Sequence, residues 1–311
     1  LTSGAGRDPH AVPGGNRARF TAAGAAVVFV VTALYQPDVA LALVILGALF
    51  IPLERLRPVH RQPIRRQGLA TDAVHFVADE AIAAIGVAIG LIFLLPMLVG
   101  LVAPVRALVE SQSSLARWIE ALVIGELAGY WGHRAQHELP WLWRFHRVHH
   151  SSPTLDWLAP NRRHPVDLVG SRLAVGLPLL ALGFTVPTIA AHYAVKRAQG
   201  LFVHANIKVS LGPLRWLIAS PEFHHWHHVD DPALYHNNFA GQLPLVDWVF
   251  GTLHMPKGQW PERYGVDGDM PETYLAQLAV PFRRSDRSRV HSVPYRPSVG
   301  PTVPMLPVLW C

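Results

Sequence analysis

The chain has 311 residues, of which 50% are hydrophobic and only 15% charged, with a net charge of +6 and a positive mean hydropathy. An ordinary soluble domain carries roughly 25% charged residues, so this balance argues against a typical water-soluble globule and predicts an integral membrane protein. The only cysteine is Cys311, which excludes internal disulfides and cysteine-ligated zinc or iron–sulfur sites. The basic residues fall in short flanks rather than on an aromatic-studded face, so they read as topology signals and no nucleic-acid partner is expected.

In chain order, residues 1–19 are polar and rich in Gly and Pro, and read as a disordered N-terminal tail without a cleaved signal peptide. Two apolar stretches follow, 20–35 and 39–53, split by "QPD". Each is shorter than the ~20 residues of a full span, which predicts a tight or shallow hairpin. The link 54–67, "ERLRPVHRQPIRRQ", is strongly basic, and positive charge favours the cytoplasmic side of a membrane.

A long apolar segment, 74–100, carries Asp79 and Glu80 near its start, and residues 115–139 return toward the cytoplasm. The segment 74–100 is expected to cross once, with a re-entrant pair as the alternative. A second hairpin is expected at 167–183 and 186–203, broken around "GFTVP". Beyond residue 204 the chain turns polar and rich in Trp, Pro and Gly, and the tail 294–311 holds five prolines. The expected fold is an all-α membrane bundle of about four spans or hairpins, with one domain over 20–293 and a cytoplasmic histidine-rich cap.

Twelve of the 18 histidines lie between residues 133 and 228, and their spacing is helical. "HRAQH" places His133 and His137 four apart on one helix face. "HRVHH" sets His146, His149 and His150 at i, i+3 and i+4, and "HHWHH" repeats that spacing with His224, His227 and His228, turning His225 aside. Packed imidazoles repel when protonated and need partners when buried. A divalent ion resolves both problems, because it binds the neutral imidazole. One ion takes about four to six ligands, so these eight histidines point to two ions, with iron, zinc, copper or nickel suited to all-nitrogen ligation.

The segments "GYWGHRAQHE", "WRFHRVHHSSP", "RRHPVD", "FVHANI", "SPEFHHWHH" and "LPLVDWVFGT" together resemble the successive motifs of the fatty acid hydroxylase/sterol desaturase superfamily, over residues ~125–252. The resemblance implies an integral membrane oxygenase with two iron ions held by histidines. It implies O2 as co-substrate, a lipid substrate taken from the bilayer, and an external electron donor of cytochrome or ferredoxin type. Carried over residue by residue, it makes His133, His137, His146, His149, His150, His204, His224, His227 and His228 metal ligands, with His164 of "RRHPVD" as a further one. Glu138, directly after His137, is expected to orient a ligand imidazole. Asp247 reads as structural, His225 as a supporting or surface residue, and the tryptophans around the clusters as interfacial anchors.

The expected reaction is hydroxylation or desaturation of a lipid C–H bond, at a bacterial inner membrane with the metals on the cytoplasmic side. Two alternatives are a membrane zinc hydrolase, disfavoured because no HExxH is present, and a non-catalytic metal-binding or transport protein, disfavoured because the spans are mostly bare of polar groups.

Overall fold

A computed structural model describes residues 37–283. The apolar stretch 20–35 and both tails lie outside the described residues. The described chain is helical, with no strand and a single isolated bridge between Val229 and Tyr264.

Helix α1 spans Pro37–Leu56 and takes in the second apolar stretch. Helix α2, Leu69–Leu101, is one continuous helix of 33 residues, so the segment 74–100 does not double back. At 1.5 Å per residue it is about 50 Å long, more than the ~30 Å of a hydrocarbon core. Among the described residues it alone is long and apolar enough to cross a membrane by length and composition. Its flank is bare: Ile85, Phe93 and Leu101 are 65%, 70% and 77% exposed. A continuous apolar face of this kind is what lipid covers in a membrane protein.

A short helix α3, Ala103–Glu110, turns the chain at the far end. Helix α4, Ser114–Glu138, then returns, its start capped by the Ser113 hydroxyl accepting the Ala116 N–H. Leu139 is extended and Pro140 opens the next helix, so α4 stops there and α5, Pro140–His150, begins. The expected second hairpin is present as α6, Pro165–Ala181, and α7, Val186–His204, joined where Gly183 takes φ +87°. Helices α2 and α6 approach closely at glycines. A β-carbon on Gly86 would stand 2.6 Å from Val169, and one on Gly90 2.5 Å from Leu173.

The chain therefore runs out along α2, back along α4, out along α6 and back along α7. That path puts the ends of α4 and α7 and the start of α6 at one end of the bundle. The cap built there carries three short helices, α8 (Pro221–His227), α9 (Pro244–Val249) and α10 (Tyr274–Ala279). Of the two charges that interrupt the apolar run of α2, Glu80 pairs with Arg172 of α6 (2.5 Å) and Asp79 faces this cap. His75 donates to Asp79 (2.6 Å) and meets Gln277 (2.9 Å), and the Tyr274 hydroxyl donates to Asp79 (2.8 Å), tying α10 to α2. Nearby, Arg66, Asp72, Asp156 and Arg162 form a buried ion-pair network that fastens the start of α2 to the segment between α5 and α6. Each charge there has an opposite partner, which keeps the burial tolerable.

Candidate metal centre

Histidines from four helices meet in two adjoining groups. His133, His137, His146, His150 and His227 form one, and His149, His204, His224 and His228 the other; within each group the candidate ligand atoms all lie within 4.8 Å of one another. The groups touch through His150 and His228, whose rings stack at 4.3 Å. Helix geometry decides the sorting. His146 and His150, four apart, share a row on α5, whereas His149 is about 100° round the helix from His150 and faces the other group. On α8, His224 and the adjoining His228 are again paired, and His227 crosses to the first group. Each histidine-rich stretch of α5 and α8 thus feeds both groups.

Backbone and carboxylate acceptors fix the tautomers. His133 Nδ1–H donates to the Phe239 carbonyl (2.8 Å), His227 Nδ1–H to Asn237 (2.7 Å), and His146 Nδ1–H to the Asp167 carboxylate (2.9 Å). Those acceptors carry no proton to give, so the Nε2 atom of each ring presents a lone pair. Yet His133 Nε2 lies 3.1 Å from His146 Nε2 and 3.0 Å from His227 Nε2. In the second group His204 Nδ1–H donates to Gly200 (2.7 Å) and His149 Nδ1–H to Arg162 (3.3 Å), leaving their Nε2 atoms 3.3 Å apart. Facing lone pairs at such distances repel, and among the described residues His137 has no hydrogen-bond partner on either buried nitrogen. A cation at the focus of each group turns this repulsion into ligation. The residues present fit a pair of nitrogen-bound metal ions.

Electrostatics point the same way. Burial, reinforced by neighbouring imidazoles, holds His149, His150, His224 and His228 well below the ordinary histidine value, and His227 down to about 3. The rings are therefore neutral at pH 7, the form that binds metal.

Two expected site residues stand apart. His164 caps α6: its Nδ1 accepts the Val166 N–H (3.1 Å) and its Nε2–H donates to the Leu278 carbonyl (3.2 Å). Both nitrogens are engaged and it belongs to neither group. Glu138 lies on the exposed face of α4, where it accepts from Arg134 (2.7 Å) rather than from an imidazole. The carboxylate that does orient a ring is Asp167, itself held by Arg163 (2.7 Å). Its signal was present in "RRHPVD", as an acidic residue following two arginines beside the histidine stretch. His225 is buried, accepting from the Tyr264 hydroxyl (2.7 Å) and donating to the carbonyl of Ala205, next to His204 (3.2 Å). Asp247 is structural with a purpose. It accepts the N–H groups of Phe239 and Ala240 (both 2.8 Å) and so fixes the carbonyl that orients His133.

A cavity of about 1080 Å³ between α2, α6 and α7 reaches the four-histidine group, with His149 and His204 in its wall. A second cavity of about 1060 Å³, between α1 and the start of α2, touches none of the clustered histidines. Proximity to the metal centre singles out the first.

Residues 118–252 match the family model described as fatty acid hydroxylase. Over 251 residues the chain is 34% identical to the ornithine lipid hydroxylase OlsE of Rhizobium tropici, a match covering 78% of this chain and 75% of that protein. It is 32% identical over 142 residues to the alkylglycerol monooxygenase of Danio rerio and 28% identical over 136 residues to that of Homo sapiens. These two matches cover 46% and 44% of this chain but only 31% and 30% of those relatives. No solved structure matches the chain. With the extended match to a lipid hydroxylase and the matching family model, the chain belongs to the fatty acid hydroxylase family and is an enzyme of the oxidoreductase class.

Proposed function

We propose that the protein is a membrane-bound lipid hydroxylase with two histidine-held iron ions, using O2 and electrons from an external cytochrome- or ferredoxin-type donor. The observation that carries this reading is the convergence of Nε2 lone pairs in two touching groups beside a cavity that enters from the bundle. When bound, an iron pair supplies reduction of O2 and removal of hydrogen from an unactivated C–H bond. In balance, the lipid C–H, O2, two electrons and two protons give an alcohol and water. The relatives named as a hydroxylase and monooxygenases support hydroxylation as the outcome.

The nine clustered histidines hold the ions, five around one and four around the other. Asp167 and the carbonyls of Phe239, Asn237, Gly200 and Arg162 orient five of the rings, His146, His133, His227, His204 and His149, so that each of these offers Nε2. The cavity wall excludes bulk water and presents the lipid to His149 and His204. Helices α2, α4, α6 and α7 lie in the bilayer with the histidine end on the cytoplasmic side, consistent with the exposed arginines 55, 57, 61 and 65 at that end. The experiment is a lipidomic comparison of expressing and non-expressing cells under 18O2. A lipid heavier by one labelled oxygen, absent when His149→Ala is expressed, is the result expected. Unchanged lipids in cells holding folded, metal-loaded protein would refute the reading.

A further inference from the structure

The cavity beside the four-histidine group is not lined for hydrocarbon alone. Its wall carries Arg163, Arg172, Lys196 and Arg197 along with Asp79 and Glu80. Charged groups at this depth of a membrane protein are costly unless they are paired or used. Most are paired. Arg163 bonds Asp167 (2.7 Å), Arg172 bonds Glu80 (2.5 Å), Asp79 is held by His75 and Tyr274, and Arg197 donates to Asn161 (2.5 Å) while lying over the Phe76 ring.

Lys196 is the exception, making no hydrogen bond or ion pair among the described residues. Room is left for its ammonium, since a β-carbon on Gly129 would stand 2.7 Å from Nζ. Glu126 is close, its Oε2 and the Lys196 Nζ both lying beside Gly241 (3.8 and 3.7 Å from the position of a β-carbon there), yet the two do not pair. Glu126 instead spends Oε1 on the N–H groups of Gln242 and Leu243 (2.9 and 3.0 Å). Lys196 and His204 share a face of α7, eight residues apart, which is an axial separation of about 12 Å. Both line the same cavity.

We propose that this cavity takes the charged headgroup of an anionic or zwitterionic lipid, with Lys196 receiving its carboxylate or phosphate. The carbon presented to His149 and His204 then belongs to the headgroup or the first part of a chain, not to a chain end, because the anchor is only about 12 Å away along the helix. This rests on the cavity being the substrate site of the proposed hydroxylase, but not on turnover.

The test is equilibrium binding to the metal-loaded full chain in detergent, followed by native mass spectrometry. The probes are ornithine lipid, phosphatidic acid and diacylglycerol of matched chains, which separate carboxylate, phosphate and neutral headgroups. At least one charged lipid is expected to bind about tenfold more tightly than diacylglycerol, a preference that Lys196→Gln abolishes and Lys196→Arg keeps. Glu126→Gln should strengthen it, by removing the negative charge behind the ammonium. No preference in the wild-type protein would overturn the proposal. So would a preference that survives Lys196→Gln, or one that Glu126→Gln leaves unmoved while stability changes, since Lys196 would then serve only Glu126. Should Lys196→Gln fail to retain metal, the wild-type and Glu126→Gln comparisons still decide. Failure of the hydroxylase reading itself would register separately, as preferential binding with no oxidised product.

Discussion

The two histidine groups share the helices α5 and α8, and differ in the third, α4 for one and α7 for the other, and in their surroundings. The five-histidine group is pinned: three of its rings are held by Asp167, Phe239 and Asn237, and Trp143 packs on His137 and His150 at 5.0 and 5.5 Å. None of its members lines the large cavity, whereas His149 and His204 of the four-histidine group do. On the proposed two-ion reading, the difference gives the two positions unequal work: the pinned position would stabilise the pair, and the position beside the cavity would meet the substrate.

Removing a ring that belongs to either group should have the largest effect. His150→Ala and His149→Ala are each expected to lower activity by more than about a hundredfold, since loss of a mere supporting residue already costs 10–100-fold at metal sites. They differ in what remains. His150→Ala should disturb the contact between the groups, and His149→Ala should spare the metal held by the five-histidine group. Metal content and X-ray absorption of the two variants would separate these outcomes; identical residual metal in both would erase the distinction between the groups.

Asp167→Asn tests the five-histidine group alone. The amide cannot replace the carboxylate at both His146 and Arg163, so metal affinity should fall about 10–100-fold at that position while the other is retained. A titration with a competing chelator reads this directly. Equal weakening of both positions would show that Asp167 supports the fold rather than one group.

Acidity should strike both groups. Burial holds His227 of the five-histidine group down to about 3, and His228 of the four-histidine group well below the ordinary value near 6.5. Between those limits the unfolded chain binds protons that the folded site refuses, so stability falls as pH drops below about 6.5 and is insensitive to these groups above it. Each such histidine contributes up to about 1.4 kcal/mol per pH unit. Thermal unfolding of metal-stripped protein from pH 7.5 to 5 should show a falling midpoint; a flat profile would contradict the buried, neutral site. The smallest effect belongs to Glu138→Gln, which breaks an exposed i,i+4 pair with Arg134 worth about 0.3–0.5 kcal/mol. Metal content and activity should stay near normal.

Much of this was legible in the sequence because helical spacing is local. Eight of the nine clustered histidines announce themselves at i, i+3 and i+4, and His204 entered only through resemblance to a family motif. The hairpin at residues 167–203 follows from apolar runs broken by a glycine turn. What spacing does not carry is partnership across the chain. That Phe239 and Asn237 supply carbonyls to His133 and His227, and that Asp167 rather than Glu138 answers a clustered ring, depend on contacts between distant segments. His75 and Asp79 illustrate the same limit. They look like an ordinary histidine and an interruption of an apolar helix until Tyr274 and Gln277 arrive from about 200 residues away to use them.

Each of the two histidine groups is proposed to hold one metal ion. Elemental analysis of the folded, purified protein, with metal counted per chain, tests it most directly. Two ions per chain are predicted, iron foremost, falling toward one in His149→Ala. One ion or fewer per chain in fully folded wild-type protein supplied with iron would contradict the dinuclear centre.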